Sequence, residues 1–328
     1  MRILITGGAG FVGRHFTEHW LKQGADVDCV DLVAPLTGGI DPSDGWPLYE
    51  PRDYDNFKFH KEDCRKFFKH NKHEYYDYAF HLAAMVGGRM MIENNPLAVA
   101  DDLSIDSEYW QWAKEAKPGK TICFSSSAAY PIKLQRHDHY ILLKEDMISF
   151  AEDIGMPDMS YGWAKLTNEY LALLAYERHG LKSVSYRPFS GYGEDQDMTY
   201  PFPSICKRTL ENKGEEHLSV WGSGKQMRDF IHITDCVRGV ITTMDQIDDG
   251  TALNLSTGIF TSFIEFAQMS AGIVGYNPIV TGTSDKPEGV FARGGNTAKQ
   301  KLHGFEYDVS FEEGIKRCLA YLERKMQS

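Results

Sequence analysis

The sequence predicts an α/β protein built on a doubly wound parallel sheet, with a smaller lobe towards its C-terminal end. Strand-like and helix-like segments alternate through the first 190 residues, a glycine-rich turn joins the first strand to the first helix, and the pattern changes after residue 188. Such alternation is typical of a parallel sheet with helices on both faces. We predict one domain over residues 1–188 and a lobe over residues 189–328, whose later segments return to complete a sheet of about seven strands.

The individual elements follow from short β-branched runs and from apolar residues at helical spacing. The strand candidates are 2–6, 27–31, 57–59, 77–82, 120–125 and 183–187. The helix candidates are 11–23, 97–116, 160–180 and 310–325, the last opened by a capping-box pattern at Ser310 and Glu313. The stretch 33–55 carries four prolines and three glycines, which predicts a long functional or mobile loop.

The chain begins MRILITGGAGFVGRH, which places Gly7, Gly10 and Gly13 at a strand-to-helix junction. Small residues there let the backbone approach a pyrophosphate, and the helix N-terminus supplies N–H groups. Asp31 ends the next predicted strand, where a carboxylate accepts hydrogen bonds from an adenosine ribose and repels a 2′-phosphate. These features predict a Rossmann-type domain that binds NAD rather than NADP. A helix cap or a solvated turn is the alternative role for Asp31.

Composition and charge argue against several classes of partner. Of the 328 residues 42% are hydrophobic and 25% are charged, and the net charge is −11 with no basic stripe. We therefore expect no nucleic-acid partner. No apolar run reaches the length of a membrane span and residue 1 leads directly into a strand, so we expect a cytoplasmic protein without a signal peptide or a membrane contact.

Neither the cysteines nor a pair of histidines indicates a metal site. The six cysteines, at positions 29, 64, 123, 206, 236 and 318, form no Cys-x-x-Cys pair, which favours reduced thiols over disulfides or zinc. His137 and His139 lie in a polar stretch, which favours a solvated loop over a pair of ligands. We expect no metal.

Candidate catalytic residues occur in SSSAAYP (125–131), at the end of an apolar strand, and in YGWAK (161–165), at the start of a helix. Tyr161 and Lys165 are four residues apart and lie on one helical face. A lysine ammonium there stabilises a phenolate, so the tyrosine can take a hydroxyl proton as hydride leaves the same carbon. A serine hydroxyl at the strand end can share that proton.

With these motifs the sequence resembles the extended short-chain dehydrogenase/reductases, specifically the NAD-dependent nucleotide-sugar epimerase/dehydratase group. The resemblance covers essentially the whole chain and includes GGAGFVG (7–13), Asp31, Asp63, HLAA (81–84), SSSAAYP, YGWAK, RPFSGYG (187–193), QMRDFIHITD (226–235) and Arg293. It implies that Ser126, Tyr161 and Lys165 are catalytic. It implies an NAD site formed by Gly7, Gly10, Phe11, Val12, Gly13, Asp31, Asp63, Cys64, Leu82, Ala83, Ala84, Tyr161 and Lys165.

The resemblance also implies a nucleotide-sugar substrate. The residues expected to bind it are Gly87, Gly88, Ser126, Ser127, Ser190, Arg228 and Arg293, with the two arginines gripping the diphosphate. The segment AAMVGGRMM (83–91) and the Tyr-Pro pair look like the GDP-mannose 3,5-epimerase and GDP-fucose synthase branch. This likeness favours a GDP-sugar, with uracil or thymine as the other possible bases.

Several departures from that branch bear on the reaction. Its members carry a cysteine acid/base where this chain has Ala128, and GDP-fucose synthase has a histidine where this chain has Asp195. Dehydratases have Asp-Glu at Ser127 and Ala128, and relatives have asparagine at Ser190 and Asp102. Alanine cannot exchange protons, so we expect oxidation of C4 by a 4-dehydrogenase or 4-epimerase. The alternatives are a 3,5-epimerase or epimerase-reductase with a relocated acid/base, and a non-catalytic NAD-binding sensor.

Two helices predict self-association, because members of this family pair them in an intermolecular four-helix bundle. The counterparts are 97–116 and 160–180. The apolar surface expected to be available comes from Tyr109, Trp110, Trp112, Leu171, Leu173 and Leu174. We predict a homodimer; the alternative is that these side chains face the subunit's own sheet.

Overall fold

The computed structural model describes residues 1–34, 38–85, 89–283 and 288–327, with side chains for all of these except 89–91. Its strands are β1 (Arg2–Thr6), β2 (Asp26–Asp31), β3 (Phe57–Lys61), β4 (Tyr78–His81), β5 (Lys120–Phe124), β6 (Gln135–Arg136), β7 (His139–Tyr140), β8 (Leu142–Leu143), β9 (Ser183–Pro188), β10 (His217–Trp221), β11 (Met227–Arg228), β12 (Asp249–Leu255), β13 (Thr261–Ser262), β14 (Ile279–Thr283) and β15 (Ala292–Gly295). Its α-helices are α1 (Phe11–Lys22), α2 (Cys64–His70), α3 (Arg89–Asn94), α4 (Val99–Ala116), α5 (Met159–His179), α6 (Pro201–Glu211), α7 (Ile233–Thr243), α8 (Phe263–Val274), α9 (Ala298–Leu302) and α10 (Phe311–Gln327).

Seven strands form one sheet in the order β12-β9-β5-β4-β1-β2-β3, and each neighbouring pair is parallel. Helices α1 and α7 contribute to the apolar core on one face of the sheet, and α2, α4 and α5 contribute to the core on the other. The predicted doubly wound sheet is confirmed. The chain order reverses between β1 and β4, and ligands bind at such a switch point because the loops after the two strands diverge.

The second half of the chain contributes to both parts of the molecule. Strand β12 pairs with β9 at the edge of the large sheet, while α6, α8 and α10 pack around a separate aromatic core. The rings of Phe202 and Phe266 in that core stack with centroids 5.2 Å apart. Two small sheets, β10-β14 and β13-β11-β15-β8, complete the lobe.

Two local expectations differ from the structure. Part of the stretch 33–55 is ordered: it forms short 3-10 turns at Pro42–Asp44 and Pro51–Asp53, and Trp46 is buried against Tyr49 and Phe57. Residues 35–37 of this stretch lie outside the described residues. The second difference concerns the start of the helix predicted over 97–116. It begins at Val99 because a 3-10 turn precedes it.

The prediction that the aromatic side chains of α4 supply apolar surface for a dimer is wrong. Tyr109, Trp110 and Trp112 are at most 7% exposed, and they pack into the core between α4 and the sheet. Trp110 donates its indole N–H to Asn168 of α5 at 2.8 Å, which turns this side chain towards the neighbouring helix rather than outward.

All six cysteines are buried free thiols. In the described ranges no group of three or more His, Cys, Asp or Glu side chains is arranged to hold a metal ion. None of the helices described has the length and apolar character needed to cross a membrane.

A fully buried ion pair joins α5 to the sheet. The Glu169 carboxylate accepts hydrogen bonds from Arg187 of β9 at 2.8 and 2.5 Å, and both side chains are about 2% exposed. The hydroxyl of Ser125, just after β5, also donates to Glu169. Arg187 donates in turn to the Tyr130 hydroxyl at 2.9 Å. One carboxylate therefore fixes a helix against the ends of two neighbouring strands.

We expect Glu169→Gln to destabilise the fold by roughly 3–5 kcal/mol, because it leaves the Arg187 charge buried without a partner. Urea unfolding measures this loss. Glu211→Gln is the control: it removes an exposed pair with Lys207 on α6 and should change stability by less than about 0.5 kcal/mol. Equal effects of the two substitutions would contradict a structural role for the buried pair.

Candidate active site

A cleft of about 260 Å³ lies at the carboxyl ends of the central strands. The structure brings together there eleven residues that the sequence assigned to a cofactor. They are Gly7, Gly10, Phe11, Val12, Gly13, Asp31, Asp63, Cys64, Leu82, Ala83 and Ala84. These residues come from the ends of β1, β2, β3 and β4, so the parallel sheet itself brings these separate parts of the chain to one place.

The glycines of the first turn serve two different purposes. A Cβ on Gly7, which has φ +70°, would lie 2.7 Å from the Ala83 nitrogen, and a Cβ on Gly13 would overlap the Gly7 carbonyl. Both Gly7 and Gly13 are therefore required by the close packing of backbone around the turn. Gly10 has an ordinary φ of −72°, and a Cβ there would meet only the Gly7 oxygen, at 3.2 Å. Since Gly10 lines the cleft at the N-terminus of α1, the missing side chain leaves room that a pyrophosphate fits.

Asp31 holds the turn and also borders the cleft. Its carboxylate accepts hydrogen bonds from the amides of Ala9 at 3.0 Å and Val33 at 2.7 Å. Burial raises the pKa of Asp31, and these two amides partly counter the rise. The turn role and the ribose role are thus compatible, because carboxylate oxygens accept more than one hydrogen bond each.

Asp63 is engaged by its own helix. It caps α2 by accepting from the amide of Arg65, and its carboxylate forms an ion pair with the Arg65 guanidinium at 2.6 Å. The guanidinium lowers the pKa of Asp63, so this side chain stays a charged acceptor at the adenine end of the predicted site.

Ser126, Tyr161 and Lys165 belong to two segments that pack closely together. The Ser126 hydroxyl oxygen accepts the Ala128 amide at 3.1 Å, which leaves its O–H free to donate. A Cβ on Gly162 would overlap the Ala128 carbonyl oxygen, and the amide of Asp158 donates to that oxygen at 2.9 Å. The first turn of α5 is therefore held against the turn that carries Ser126.

Lys165 is a buried cation beside Tyr161. Its Nζ lies 5.6 Å from the centre of the Tyr161 ring, and the residue is 6% exposed. Burial acts to lower the pKa of Lys165, but the charges of Tyr161, Asp102 and Asp106 outweigh it and raise the pKa. Among the described residues no hydrogen-bond acceptor lies within reach of this ammonium, so its three donors fit the ribose hydroxyls of a bound dinucleotide.

Several of the residues expected to bind substrate already have protein partners or are buried. Arg228 and Arg293 are register partners on β11 and β15, so they lie side by side. Arg293 forms an ion pair with Asp158 at 2.7 Å, and Arg228 donates to the Val290 carbonyl at 3.0 Å. Ser127 is buried, and Gly87 and Gly88 lie outside the described residues.

Ser190 is one of the few non-glycine residues with positive φ, at 35°. A serine there carries backbone strain that asparagine or glycine would carry more easily. The strain lies between Pro188 and Gly191, which both line the cleft.

The cleft residues that sequence reasoning did not identify include Gln196, Asp197 and Tyr200. Gln196 donates to the Gly191 carbonyl at 3.1 Å, and its Oε1 is buried without a partner among the described residues. Burial and the charge of Tyr161 raise the pKa of Tyr200, so it is a neutral phenol. No local pattern marks these residues, because they reach the cleft through a connection between β9 and α6.

Comparison with known proteins gives one family and one fold. A sequence model of the NAD dependent epimerase/dehydratase family matches residues 3–256. The chain is 26% identical to an uncharacterized UDP-glucose epimerase of Bacillus subtilis, YtcB, covering 100% of this chain and 99% of the relative. It is 24% identical to GDP-L-colitose synthase of Yersinia pseudotuberculosis, covering 99% of both. A UDP-glucuronic acid 4-epimerase from Bacillus cereus, solved with UDP-glucuronic acid and NAD, has the same fold at a TM-score of 0.80 and 24% identity, covering 99% of this chain and 100% of that one.

We expect Gly10→Ala to weaken NAD binding at least about tenfold while changing stability by less than about 0.5 kcal/mol, because its Cβ enters the cleft rather than the core. Isothermal titration with NAD and urea unfolding measure the two effects. Gly13→Ala should instead destabilise the fold by about 1–3 kcal/mol, since its Cβ overlaps backbone. Gly272→Ala in α8, where a Cβ meets nothing within 4 Å, is the control. Unaltered NAD affinity in Gly10→Ala would show that the turn does not contact the pyrophosphate.

Proposed function

Because the chain belongs to the NAD-dependent epimerase/dehydratase family, we propose that it oxidises C4 of a sugar carried on a nucleoside diphosphate, with NAD as the hydride acceptor. The observation that carries this proposal is the packing of Tyr161 and Lys165 against the turn of Ser126. Tyr161 lines a small cavity together with Met85, and Met85 also lines the cleft suited to a dinucleotide. The cofactor is NAD, and when bound it supplies a carbon that accepts hydride.

The protein's part in this chemistry is to move one proton and to orient the alcohol. Tyr161 takes the hydroxyl proton as the C–H bond breaks, and the Lys165 ammonium beside its ring stabilises the negative charge that forms. The free O–H of Ser126 donates to the same substrate oxygen. Burial of Lys165 strengthens this stabilisation, because charges interact more strongly away from water.

The side chain at position 128 favours chemistry at C4 over proton exchange at C3 or C5. Ala128 is buried and offers a methyl group where the GDP-mannose 3,5-epimerase branch has a thiol. The proposed outcome is a 4-epimerase, which returns hydride to the other face, or a 4-dehydrogenase, which releases the ketone. A 3,5-epimerase would need an acid/base from another segment, such as 85–91, and a sensor would need no proton acceptor at Tyr161.

The guanine base stays a prediction based on the segment AAMVGGRMM, and so does the branch it suggests. The relatives named above act, by their names, on both UDP- and GDP-linked sugars. The adjacent arginines Arg228 and Arg293 support a diphosphate in either case, because two guanidinium groups can bind its oxygens bidentately.

We expect Tyr161→Phe to lower turnover by about 10²–10⁴-fold with NAD affinity retained, because the variant loses the proton acceptor and little else. Tyr176→Phe removes an exposed hydroxyl from the same helix and should be as active as the wild type. Nicotinamide absorbance in single-turnover reactions measures both. Full activity in Tyr161→Phe would contradict the proposed role.

The substrate is tested by mass spectrometry of nucleotides that copurify with the protein, followed by assays with GDP-, UDP- and dTDP-sugars. We expect a GDP-sugar to be retained and oxidised, with no deuterium incorporated at C3 or C5 from heavy water. Retention of only a UDP- or dTDP-sugar would contradict the guanine prediction. Deuterium at C3 or C5 would support the epimerase with a relocated acid/base.

We also propose a homodimer formed through α4 and α5, based on outward-facing residues rather than on those first expected. Leu103 on α4 and Trp163 and Tyr170 on α5 are each about 40% exposed, which leaves apolar surface on neighbouring helices.

Leu103→Glu should convert the dimer to a monomer in sedimentation velocity, because it buries a charge in the interface. Leu302→Glu, on α9, should leave the dimer intact. A monomeric wild type would contradict the proposal.

A further inference from the structure

The buried glutamines of the molecule differ in whether the side-chain oxygen has a partner. Four glutamines are buried among the residues that the structure describes: Gln135, Gln196, Gln226 and Gln300. The oxygen of Gln135 accepts from a guanidinium at 2.7 Å, that of Gln226 from a serine hydroxyl at 3.3 Å, and that of Gln300 from a backbone amide at 3.0 Å. The Oε1 of Gln196 is buried with no partner in the described part of the chain. Buried polar groups are as a rule hydrogen-bonded, so this exception calls for a physical explanation.

The orientation of the Gln196 amide is defined by its other end. Its Nε2 donates to the Gly191 carbonyl at 3.1 Å. The opposite orientation would place the amide oxygen against the carbonyl oxygen, with no proton between two acceptors. The atom without a partner is therefore the oxygen. Gln196 is 8% exposed and lines the cofactor cleft, so a molecule bound in the cleft can supply the missing donor.

The preceding residue fixes the segment that carries Gln196. The Asp195 carboxylate accepts a hydrogen bond from the Arg14 guanidinium at 2.8 Å, and its other oxygen lies 2.8 Å from the His15 Nε2. Arg14 and His15 belong to α1, and the side chains of Arg14 and Asp195 are each 2% exposed. The backbone next to Gln196 is therefore held against α1, which keeps the unpaired oxygen at the cleft. An acceptor fixed in advance binds a ligand with a smaller loss of conformational entropy.

The position of Gln196 on the sheet indicates which half of NAD it meets. In a doubly wound sheet a dinucleotide lies across the switch point, with its two halves on opposite sides. Asp31 and Asp63, predicted to bind the adenosine half, lie at or just after the ends of β2 and β3, on one side of β1. Gly191, the partner of Gln196, follows β9 on the other side of β1. Gln196 therefore lies on the nicotinamide side of the cleft.

Two groups in this half of NAD carry hydrogen-bond donors, the ribose hydroxyls and the carboxamide of the nicotinamide. The ribose hydroxyls fit the Lys165 ammonium on α5. We infer that the Oε1 of Gln196 accepts a hydrogen bond from the carboxamide, which makes Gln196 a cofactor-binding residue. Since the carboxamide is attached to the pyridine ring, a contact with it restricts rotation of the ring about its bond to the ribose. This role concerns the orientation of the cofactor, goes beyond the proposed function and holds for any substrate.

The test measures the cofactor affinity of two glutamine variants of the full chain. Gln196→Met keeps the length of the side chain and removes the amide. Gln300→Met does the same at a buried glutamine whose amide bonds at both ends to Ser256. NAD and ADP-ribose are titrated into each protein by calorimetry. ADP-ribose contains both riboses and the pyrophosphate but lacks the nicotinamide.

We expect Gln196→Met to bind NAD about tenfold more weakly than the wild type, because the carboxamide loses its acceptor in a buried site. Its affinity for ADP-ribose should change less than about twofold, which also shows that the site is folded. Gln300→Met should bind both ligands as the wild type does. An equal loss of affinity for NAD and ADP-ribose, or no loss for either, would overturn the inference.

A cofactor analogue tests the donor itself. Acetylpyridine adenine dinucleotide has a methyl ketone in place of the carboxamide and so has no N–H to donate there. The wild type should bind it about tenfold more weakly than NAD, and Gln196→Met should bind the two dinucleotides with equal affinity. Independent, additive losses would show that Gln196 and the carboxamide do not touch, which would contradict the inference.

Thermal unfolding without cofactor gives an independent readout. In Gln196→Met the lost bond to Gly191 is offset by removal of an unpaired oxygen, so the melting temperature should change by less than about 2 °C. Gln300→Met removes two satisfied hydrogen bonds and should lower the melting temperature by about 2–5 °C. A larger loss in Gln196→Met than in Gln300→Met would assign Gln196 a structural role instead. None of these measurements uses a sugar, so a failure to oxidise any sugar would refute the proposed function alone.

Discussion

The buried contact between Glu169 and Arg187 fixes α5, the helix that carries the proposed reactive groups, against the sheet. Tyr161, Lys165 and Glu169 follow one another at intervals of four on α5, so they lie along one face of that helix. The last of the three bonds to β9 through Arg187 and to the end of β5 through Ser125. A bidentate ion pair adds a directional constraint to apolar packing, because its two hydrogen bonds depend on both the height and the angle of the helix.

This contact explains why the proposed reactive groups can be arranged with few direct bonds between them. Ser125 is adjacent to Ser126, and Glu169 is one helical turn from Lys165. The contacts of Glu169 with Ser125 and Arg187 therefore hold the segments that carry Ser126 and Lys165. Met85 lines both the small cavity beside Tyr161 and the cleft, whose predicted cofactor residues follow β1 to β4. Rigid elements, rather than loops, thus determine the distances that proton transfer depends on.

The sequence predicted the parts of this arrangement that arise locally. The strands, the glycine turn and the Tyr161–Lys165 spacing all depend on neighbours within a few residues. The structure shows that eleven of the predicted cofactor residues line one cleft. The face that α4 presents to the core was not predictable in the same way. Tyr109, Trp110 and Trp112 span three directions around the helix, and a helix between a sheet and α5 buries all three.

Long-range ionic contacts could not be predicted from the sequence either. Asp158 and Arg293 lie 135 residues apart, and no local pattern pairs them. The same is true of Gln196 and Tyr200, which reach the cleft only because the chain after β9 returns over it. Positions such as these depend on the packing of one lobe on the other. Neither the hydrophobic periodicity of the sequence nor its secondary-structure propensity encodes that packing.

The Arg293–Asp158 pair has a further consequence for substrate binding. Asp158 immediately precedes α5, and its amide also holds the Ala128 carbonyl in the turn of Ser126. A diphosphate that binds Arg293 must therefore share the guanidinium with Asp158 or displace it, which offsets part of the binding energy. Because Asp158 is three residues from Tyr161, the same exchange alters the contacts of the helix end that carries the phenol. An anion bound at Arg293 would in this way be linked to the position of Tyr161 through one carboxylate.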